Sequence, residues 1–190
     1  MHIHQPVEFI EDANEALQIL KEGNERFLKN DLIKNDSYHA DRELLCSCQK
    51  PFAVILTCSD SRVAPEIFFD QKLGDIFIIR NAGNIADVTA LGSIEYAIEH
   101  LKCKLVVVCG HSNCGAVSAA CKSEDYPPNI KVLIDHIKPA VDKGGDLKQI
   151  SINNIESAAE EIKADTIVRH SGVMVVGAFY DLQSGEVSWL

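Results

Sequence analysis

The sequence has no long apolar run and no excess of positive charge. No stretch approaches the ~18 apolar residues that a membrane-spanning helix needs. The 18 Lys and Arg residues are outnumbered by 28 Asp and Glu residues, which gives a formal net charge of −10. Nucleic-acid-binding proteins usually present a basic surface, and anionic membranes attract one too. We therefore expect neither nucleic acid nor a membrane as a partner.

Motifs for nucleotide binding and for secretion are also absent. Neither G-x-x-x-x-G-K-[ST] nor G-x-G-x-x-G occurs, so nucleotide binding lacks its usual loop. Residues 1–5 show no basic segment leading into an apolar core, so we expect no signal peptide and a cytoplasmic location. The seven cysteines agree with this expectation. An odd number without a secretion signal suggests metal ligands, reactive thiols or buried apolar residues, not a disulfide framework.

Apolar runs alternate with amphipathic patterns along most of the chain. The runs are typical of strands covered on both faces, and they lie at 52–57, 76–79, 105–109 and 173–180. Helical spacing of apolar residues occurs at 8–29, 88–101, 114–121, 130–141 and 152–168. A polar connection occupies 30–49, and a turn at 183–186 precedes a short last strand. The pattern predicts an α/β fold: a mainly parallel central β-sheet flanked by helices, with an N-terminal helical arm and a C-terminal edge hairpin.

Candidate metal ligands follow two of the predicted strands. Cys58 comes directly after the first apolar run, and His111 and Cys114 follow the third. Ligands bind parallel sheets outside the carboxyl ends of the strands, so we expect these side chains to meet there. Two thiolates and one imidazole suit Zn²⁺ and leave a fourth position open, as in catalytic sites. The alternative is that the cysteines are buried apolar residues and the histidine is hydrogen-bonded in a turn.

Asp60 and Arg62 lie in the loop after Cys58. Asp60 could close the site as a fourth ligand. If Arg62 instead holds the carboxylate in a bidentate pair, the fourth position stays free for water, which Asp60 could orient. A structural ion pair that caps the next helix is the plainer interpretation, and it is compatible with the second.

These motifs resemble the β class of carbonic anhydrases. The resemblance rests on Cys58-Ser59-Asp60-Ser61-Arg62 together with His111-Ser112-Asn113-Cys114-Gly115. The stretches Arg80-Asn81-Ala82-Gly83-Asn84 and Ser93-Ile94-Glu95-Tyr96-Ala97 are similar to family segments as well. The match is good from Gln49 to Cys121 and looser over the C-terminal strand.

The resemblance implies one zinc ion per chain, held by Cys58, His111 and Cys114, with Asp60 and Arg62 as an adjacent dyad. It implies reversible hydration of carbon dioxide to bicarbonate and a proton, by attack of zinc-bound hydroxide. It also implies a single domain over 1–190, with a helical arm at 1–50 and an α/β core at 51–190.

The resemblance further implies substrate-binding positions at Gln49, Phe77, Ala82, Tyr96 and Gly115. Family sites form at a dimer interface, so a homodimer or homotetramer is expected, in which Gln49, Phe77 and Tyr96 serve the neighbouring chain's metal. Gln49 favours the open subtype over the gated one, in which the aspartate binds zinc. The single tryptophan, Trp189, lies far from the N-terminal position that the gated form uses.

Two other functions stay open at this point. One is hydrolysis of carbonyl sulfide or carbon disulfide on the same scaffold, and the other is a zinc-binding or redox-sensing protein without turnover. Of the remaining cysteines, Cys103, Cys109 and Cys121 are expected to be small apolar residues. Cys46 and Cys48 form a pair that we expect to be exposed, with a possible redox or metal role.

Overall fold

The chain folds around one mainly parallel sheet. The computed structural model describes residues 10–33, 42–43 and 45–190. Five strands run in the order β2-β1-β3-β4-β5; they are β1 (Ala53–Cys58), β2 (Ile76–Asn81), β3 (Leu105–His111), β4 (Met174–Tyr180) and β5 (Val187–Trp189). The first four are parallel, and β5 runs antiparallel to β4. The predicted sheet and its C-terminal hairpin are confirmed.

Helices connect the strands and cover both faces of the sheet. They are α1 (Ala13–Leu28), α2 (Pro65–Phe68), α3 (Val88–Glu99), α4 (Gly115–Ala120), α5 (Pro128–Asp142), α6 (Leu147–Ala164) and α7 (Thr166–Ser171). Aspartates begin four of them, at Asp12, Asp87, Asp146 and Asp165, where the carboxylate accepts hydrogen bonds from backbone N–H groups of the first turn. Among the described residues, no helix is long and apolar enough to cross a bilayer.

Successive side chains along each strand point to opposite faces of the sheet, and each face has its own apolar core. Val54, Leu56, Val106 and Val108 pack with α3, α6 and α7 on one face. Ile55 and its neighbours on the opposite face pack with α1 and α2. The central strands β1 and β3 are buried along their whole length, which explains their unbroken apolar runs.

The helical prediction was wrong in two places. The helix predicted over 152–168 is in fact two helices: α6 starts at Leu147, and Asp165 has an extended ψ of 141° that ends it and caps α7. Helix α2 is not predicted, because its four residues are too few to show a period. The predicted helix start at Glu8 and part of the polar connection at 30–49 lie outside the described residues.

Helix α1 approaches α2 most closely at Gly23. A Cβ atom at this position would overlap the backbone carbonyl of Phe69. We expect Gly23→Ala to lower the free energy of unfolding by about 1–3 kcal/mol through overpacking. Urea unfolding followed by circular dichroism measures this loss, and an unchanged free energy of unfolding would contradict this packing.

Candidate metal centre

The carboxyl ends of two neighbouring strands bring three metal-binding side chains together. Cys58 ends β1, His111 ends β3, and Cys114 is the residue that begins α4. Their ligand atoms all lie within 4.8 Å of one another, and the two Sγ atoms are 3.9 Å apart. All three residues are buried. In the part of the chain that the structure describes, this is the one group of three or more His, Cys, Asp or Glu residues arranged to hold a metal ion.

The histidine shows that this group fits a metal ion. His111 Nδ1 donates to the backbone carbonyl of Ser112 at 2.9 Å, which leaves Nε2 as the acceptor nitrogen. Nε2 is buried and has no hydrogen-bond partner among the residues that the structure describes. Buried polar atoms are nearly always paired, so an orphaned imidazole nitrogen beside two thiols indicates a missing partner. An imidazole and two thiols are the donor set that zinc prefers.

The hydrogen bond between the two thiols shifts their pKa values in opposite directions. The hydrogen bond with Cys114 is the main influence that lowers the pKa of Cys58, to about 4, and the same bond raises the pKa of Cys114. The shared hydrogen bond therefore favours one thiolate in the pair, and thiolates are the form that binds metal. Burial instead raises the pKa of Cys103 and of Cys109 to about 12, as expected for apolar packing residues.

Arg62 binds the Asp60 carboxylate through three hydrogen bonds. Its Oδ1 accepts from Arg62 Nε at 2.9 Å and from the Arg62 backbone N–H at 3.0 Å, while Oδ2 accepts from a terminal guanidinium nitrogen of Arg62 at 2.7 Å. This bond to Arg62 is the largest influence that holds the pKa of Asp60 well below its usual range. The structure therefore shows the bidentate pair and not Asp60 as a fourth member of the metal-binding group.

Two residues that sequence reasoning left without a role fasten the loops of this site. Arg80 donates from Nε to the carbonyl of Cys58 at 3.2 Å and from a terminal nitrogen to the carbonyl of Asp60 at 2.8 Å. Gly83 donates its backbone N–H to Cys58 Sγ at 3.4 Å. Both belong to the Arg-Asn-Ala-Gly-Asn stretch already noted for its resemblance, which was the available signal.

The predicted substrate-binding positions fall into two groups. Ala82 follows Asn81, which pairs with Cys58 across the sheet, and Gly115 follows Cys114, so both lie at the edge that carries the three ligands. A Cβ at Gly115 would meet nothing within 4 Å, so space is open there.

The other three positions lie toward the amino ends of the strands, away from the carboxyl ends that carry Cys58 and His111. Phe77 pairs with Val54, four residues before Cys58, which at ~3.3 Å per residue is about 13 Å away. The Tyr96 ring lies 6.5 Å from the Phe77 ring, and Gln49 is exposed ahead of β1. One chain does not bring these three to its own metal-binding group.

The exposed cysteines have no part in the metal-binding group. Cys46 and Cys48 are exposed as predicted, and the Cys46 thiol donates to the carbonyl of Arg42 at 3.1 Å. Cys121 is exposed at the end of α4, so the prediction that it packs as an apolar residue was wrong. The short α4 ends at this position, and its buried side chains are Val117 and Ala120 instead.

Comparison with known proteins gives a consistent result. A profile of the family described as carbonic anhydrase matches residues 53–187. A carbonic anhydrase from Mycolicibacterium smegmatis is 35% identical over 186 residues, a match that covers 90% of this chain and 90% of that protein. Carbonic anhydrase 2 from Mycobacterium tuberculosis is 54% identical over 106 residues, covering 55% of this chain and 51% of that protein.

Solved structures of β-carbonic anhydrases share the fold. The Coccomyxa enzyme, in complex with acetazolamide, is similar with a TM-score of 0.73 and 26% identity over 94% of this chain and 86% of that one. A tetrameric enzyme from Sordaria macrospora gives a TM-score of 0.74 with 24% identity, over 93% of this chain and 97% of that one. The matched family segment contains Cys58, His111 and Cys114. The chain therefore belongs to the β class of carbonic anhydrases.

Proposed function

We propose that this chain is a zinc-dependent enzyme that interconverts carbon dioxide and bicarbonate, with one zinc ion held by Cys58, His111 and Cys114. The observation that carries the proposal is the buried His111 Nε2, which has no hydrogen-bond partner within the described part of the chain and lies within 4.8 Å of two thiol sulfurs. A Zn²⁺ ion held there would supply the nucleophile, because a metal ion makes a coordinated water more acidic. Two thiolates would offset part of the metal charge, so the pKa of that water would fall less than in a three-histidine site.

The Asp60–Arg62 pair orients the attacking water. An ionised carboxylate has about four acceptor positions, and Arg62 uses three of them on Asp60. The Oδ2 atom keeps acceptor capacity on the side away from Arg62. Asp60 can therefore accept a hydrogen bond from the water. This bond would orient the water so that a lone pair on the water oxygen faces the substrate carbon. Because Arg62 engages both carboxylate oxygens, Asp60 stays ionised and outside the metal-binding group, as in the open subtype.

The substrate pocket requires a second copy of the chain. Gly115 and Ala82 line the ligand-bearing edge, whereas Gln49, Phe77 and Tyr96 lie toward the other edge of the same sheet. Apolar side chains on α3 are exposed, with Val88 at 82% and Tyr96 at 48%. We infer a homodimer or homotetramer in which these exposed groups complete the neighbouring chain's pocket.

The state of the cysteines supports a reducing compartment. All seven are free thiols, and three of them are exposed. Exposed thiols persist where glutathione and thioredoxin keep them reduced, so we propose that the enzyme works in the cytoplasm.

Parallel assays on one zinc-quantified sample test the proposal. Stopped-flow indicator measurements report carbon dioxide hydration, and sulfide release reports hydrolysis of carbonyl sulfide or carbon disulfide. We expect hydration far above the buffer rate and little sulfide. Sulfide release faster than hydration would favour the hydrolase alternative. Zinc-loaded protein that is inactive in both assays would favour a non-catalytic zinc protein.

A further inference from the structure

We propose that Asn154 is a positioning residue for the zinc site, which acts through Gly83 to hold a backbone N–H group against the sulfur of Cys58. The inference rests on the proposed zinc site. Asn154 lies on α6 and contacts no ligand itself, and it is 71 residues from Gly83 in sequence.

The contact to be positioned is the hydrogen bond on Cys58. Gly83 N–H donates to Cys58 Sγ at 3.4 Å. Outer partners of metal ligands orient them and tune the metal, and hydrogen bonds to cysteine sulfur adjust how strongly the thiolate donates charge. An N–H group aimed at Cys58 therefore stabilises the thiolate and sets its direction toward the metal.

Gly83 has no side chain whose contacts could fix the direction of its N–H group. Its φ is +85°, and a Cβ there would lie 2.7 Å from Ile137 Cδ1 and 3.2 Å from Ala116 Cβ, so only glycine fits. Glycine rotates freely about both backbone bonds, so its N–H is aimed only if neighbouring groups fix the peptide planes. Asn81 fixes one end of the loop, because its side chain bonds both the N–H and the carbonyl of Ile85, at 2.9 and 2.8 Å.

Asn154 fixes the peptide plane on the carbonyl side of Gly83. Its Nδ2 donates to the Gly83 carbonyl at 2.8 Å, and the residue is only 3% exposed. The carbonyl and the N–H lie on the two sides of the Gly83 Cα, so holding one limits the rotation that would move the other. A buried amide that spans from α6 to this loop thus connects the helix layer to the thiolate.

Helix α6 packs closely against the sheet, which fixes the position of Asn154. Ile155, the next residue, is fully buried against β3 and β4. A Cβ on Gly110 would lie 2.6 Å from Ile155 Cγ1, and a Cβ on Gly177 would lie 2.9 Å from Ile155 Cγ2. Because the strands present glycines to this side chain, α6 sits close to the sheet and places Asn154 next to the Gly83 loop.

The preceding residue supplies a matched control. Asn153 is 6% exposed, and its Nδ2 donates to the carbonyls of Ala140 and Gly144, at 3.2 and 3.1 Å. The first acceptor is in the last turn of α5 and the second is in the loop between α5 and α6, and neither residue contacts Cys58. Asn153→Ala and Asn154→Ala therefore remove the same kind of buried amide donor from adjacent positions, and only the second reaches Cys58.

Zinc affinity, measured by competition with a chelator, tests the proposal without relying on activity. We expect Asn154→Ala to bind Zn²⁺ up to about 10-fold more weakly than the wild type, the low end of the cost of losing a ligand's outer partner, because the Gly83 N–H donor itself remains. Asn153→Ala should keep wild-type affinity even where it unfolds more easily. In the cobalt-substituted protein, the thiolate-to-cobalt absorption band should shift in Asn154→Ala and stay in place in Asn153→Ala.

The outcomes separate this inference from the proposed function. Wild-type protein that binds no zinc would overturn the proposed function, and this inference with it. A wild type that binds zinc, with equal affinity and cobalt spectra in the two variants, would overturn the role of Asn154 alone. If Asn154→Ala does not fold, Asn154→Leu fills the space and removes the donor without adding a charge, and the same expectations apply against Asn153→Leu.

Discussion

We expect Cys114→Ser to reduce the zinc content well below one ion per chain. It should also lower carbon dioxide hydration by more than about 100-fold, since loss of an outer partner alone costs about 10–100-fold and loss of a direct ligand must cost more. Serine removes the soft thiolate but is a favoured residue at a helix N-terminus. Cys114 precedes α4 and makes no side-chain capping bond there, so the helix should start unchanged.

Cys121→Ser is the control for this substitution. Cys121 ends the same short helix, is exposed, and lies outside the metal-binding group. This variant should keep full zinc content and activity. Atomic absorption and stopped-flow hydration measure both properties on one sample. Wild-type zinc content in a folded Cys114→Ser protein would contradict the assigned ligand set.

Asp60→Asn is expected to keep its zinc and lose hydration activity by about 10²–10⁴-fold, the range that a positioned acid–base group contributes. The asparagine amide places an NH₂ group where one carboxylate oxygen now accepts from Arg62, at 2.7 or 2.9 Å. The pair would then open, and the water would lose its acceptor. Arg62 holds the pKa of Asp60 well below its usual range, so this carboxylate stays ionised at neutral and alkaline pH. The loss should therefore be the same from pH 7 to pH 9.

Asp70→Asn tests whether any Asp–Arg pair would give this result. Asp70 accepts from Arg26 Nε at 2.6 Å and contacts α1, and it is not part of the candidate metal-binding group. This control should lose stability and keep its turnover. Arg62→Lys should fall between wild type and Asp60→Asn, since lysine keeps the charge but not the two-pronged geometry. Equal turnover in Asp60→Asn and the wild type would remove Asp60 from the mechanism.

Much of the fold could be predicted because its central strands are covered on both faces. Burial forces residues of β1 and β3 to be apolar without interruption, and that signal is independent of long-range contacts. The break at Asp165 was missed, because an aspartate between two amphipathic stretches keeps the helical period on either side. Helix boundaries depend on capping geometry, which periodicity does not report.

The grouping of Cys58, His111 and Cys114 could be predicted, whereas the contacts that support it could not. Cys58, His111 and Cys114 follow strands whose carboxyl ends must meet in a parallel sheet, so topology alone brings them together. The partner of Gly83 is one of two adjacent, buried asparagines, and only the path of α6 decides which reaches it. The distance of Phe77 from Cys58 follows from strand register, which also requires the folded sheet.

Removal and return of the metal tests the central claim most directly. Protein stripped of metal by a chelator should hydrate carbon dioxide no faster than buffer. Added Zn²⁺ should restore activity in proportion to the amount bound and reach a plateau at one ion per chain. The same titration of Cys114→Ser should restore little. Full activity in the stripped protein, or a plateau that does not depend on Cys58, His111 and Cys114, would contradict the account.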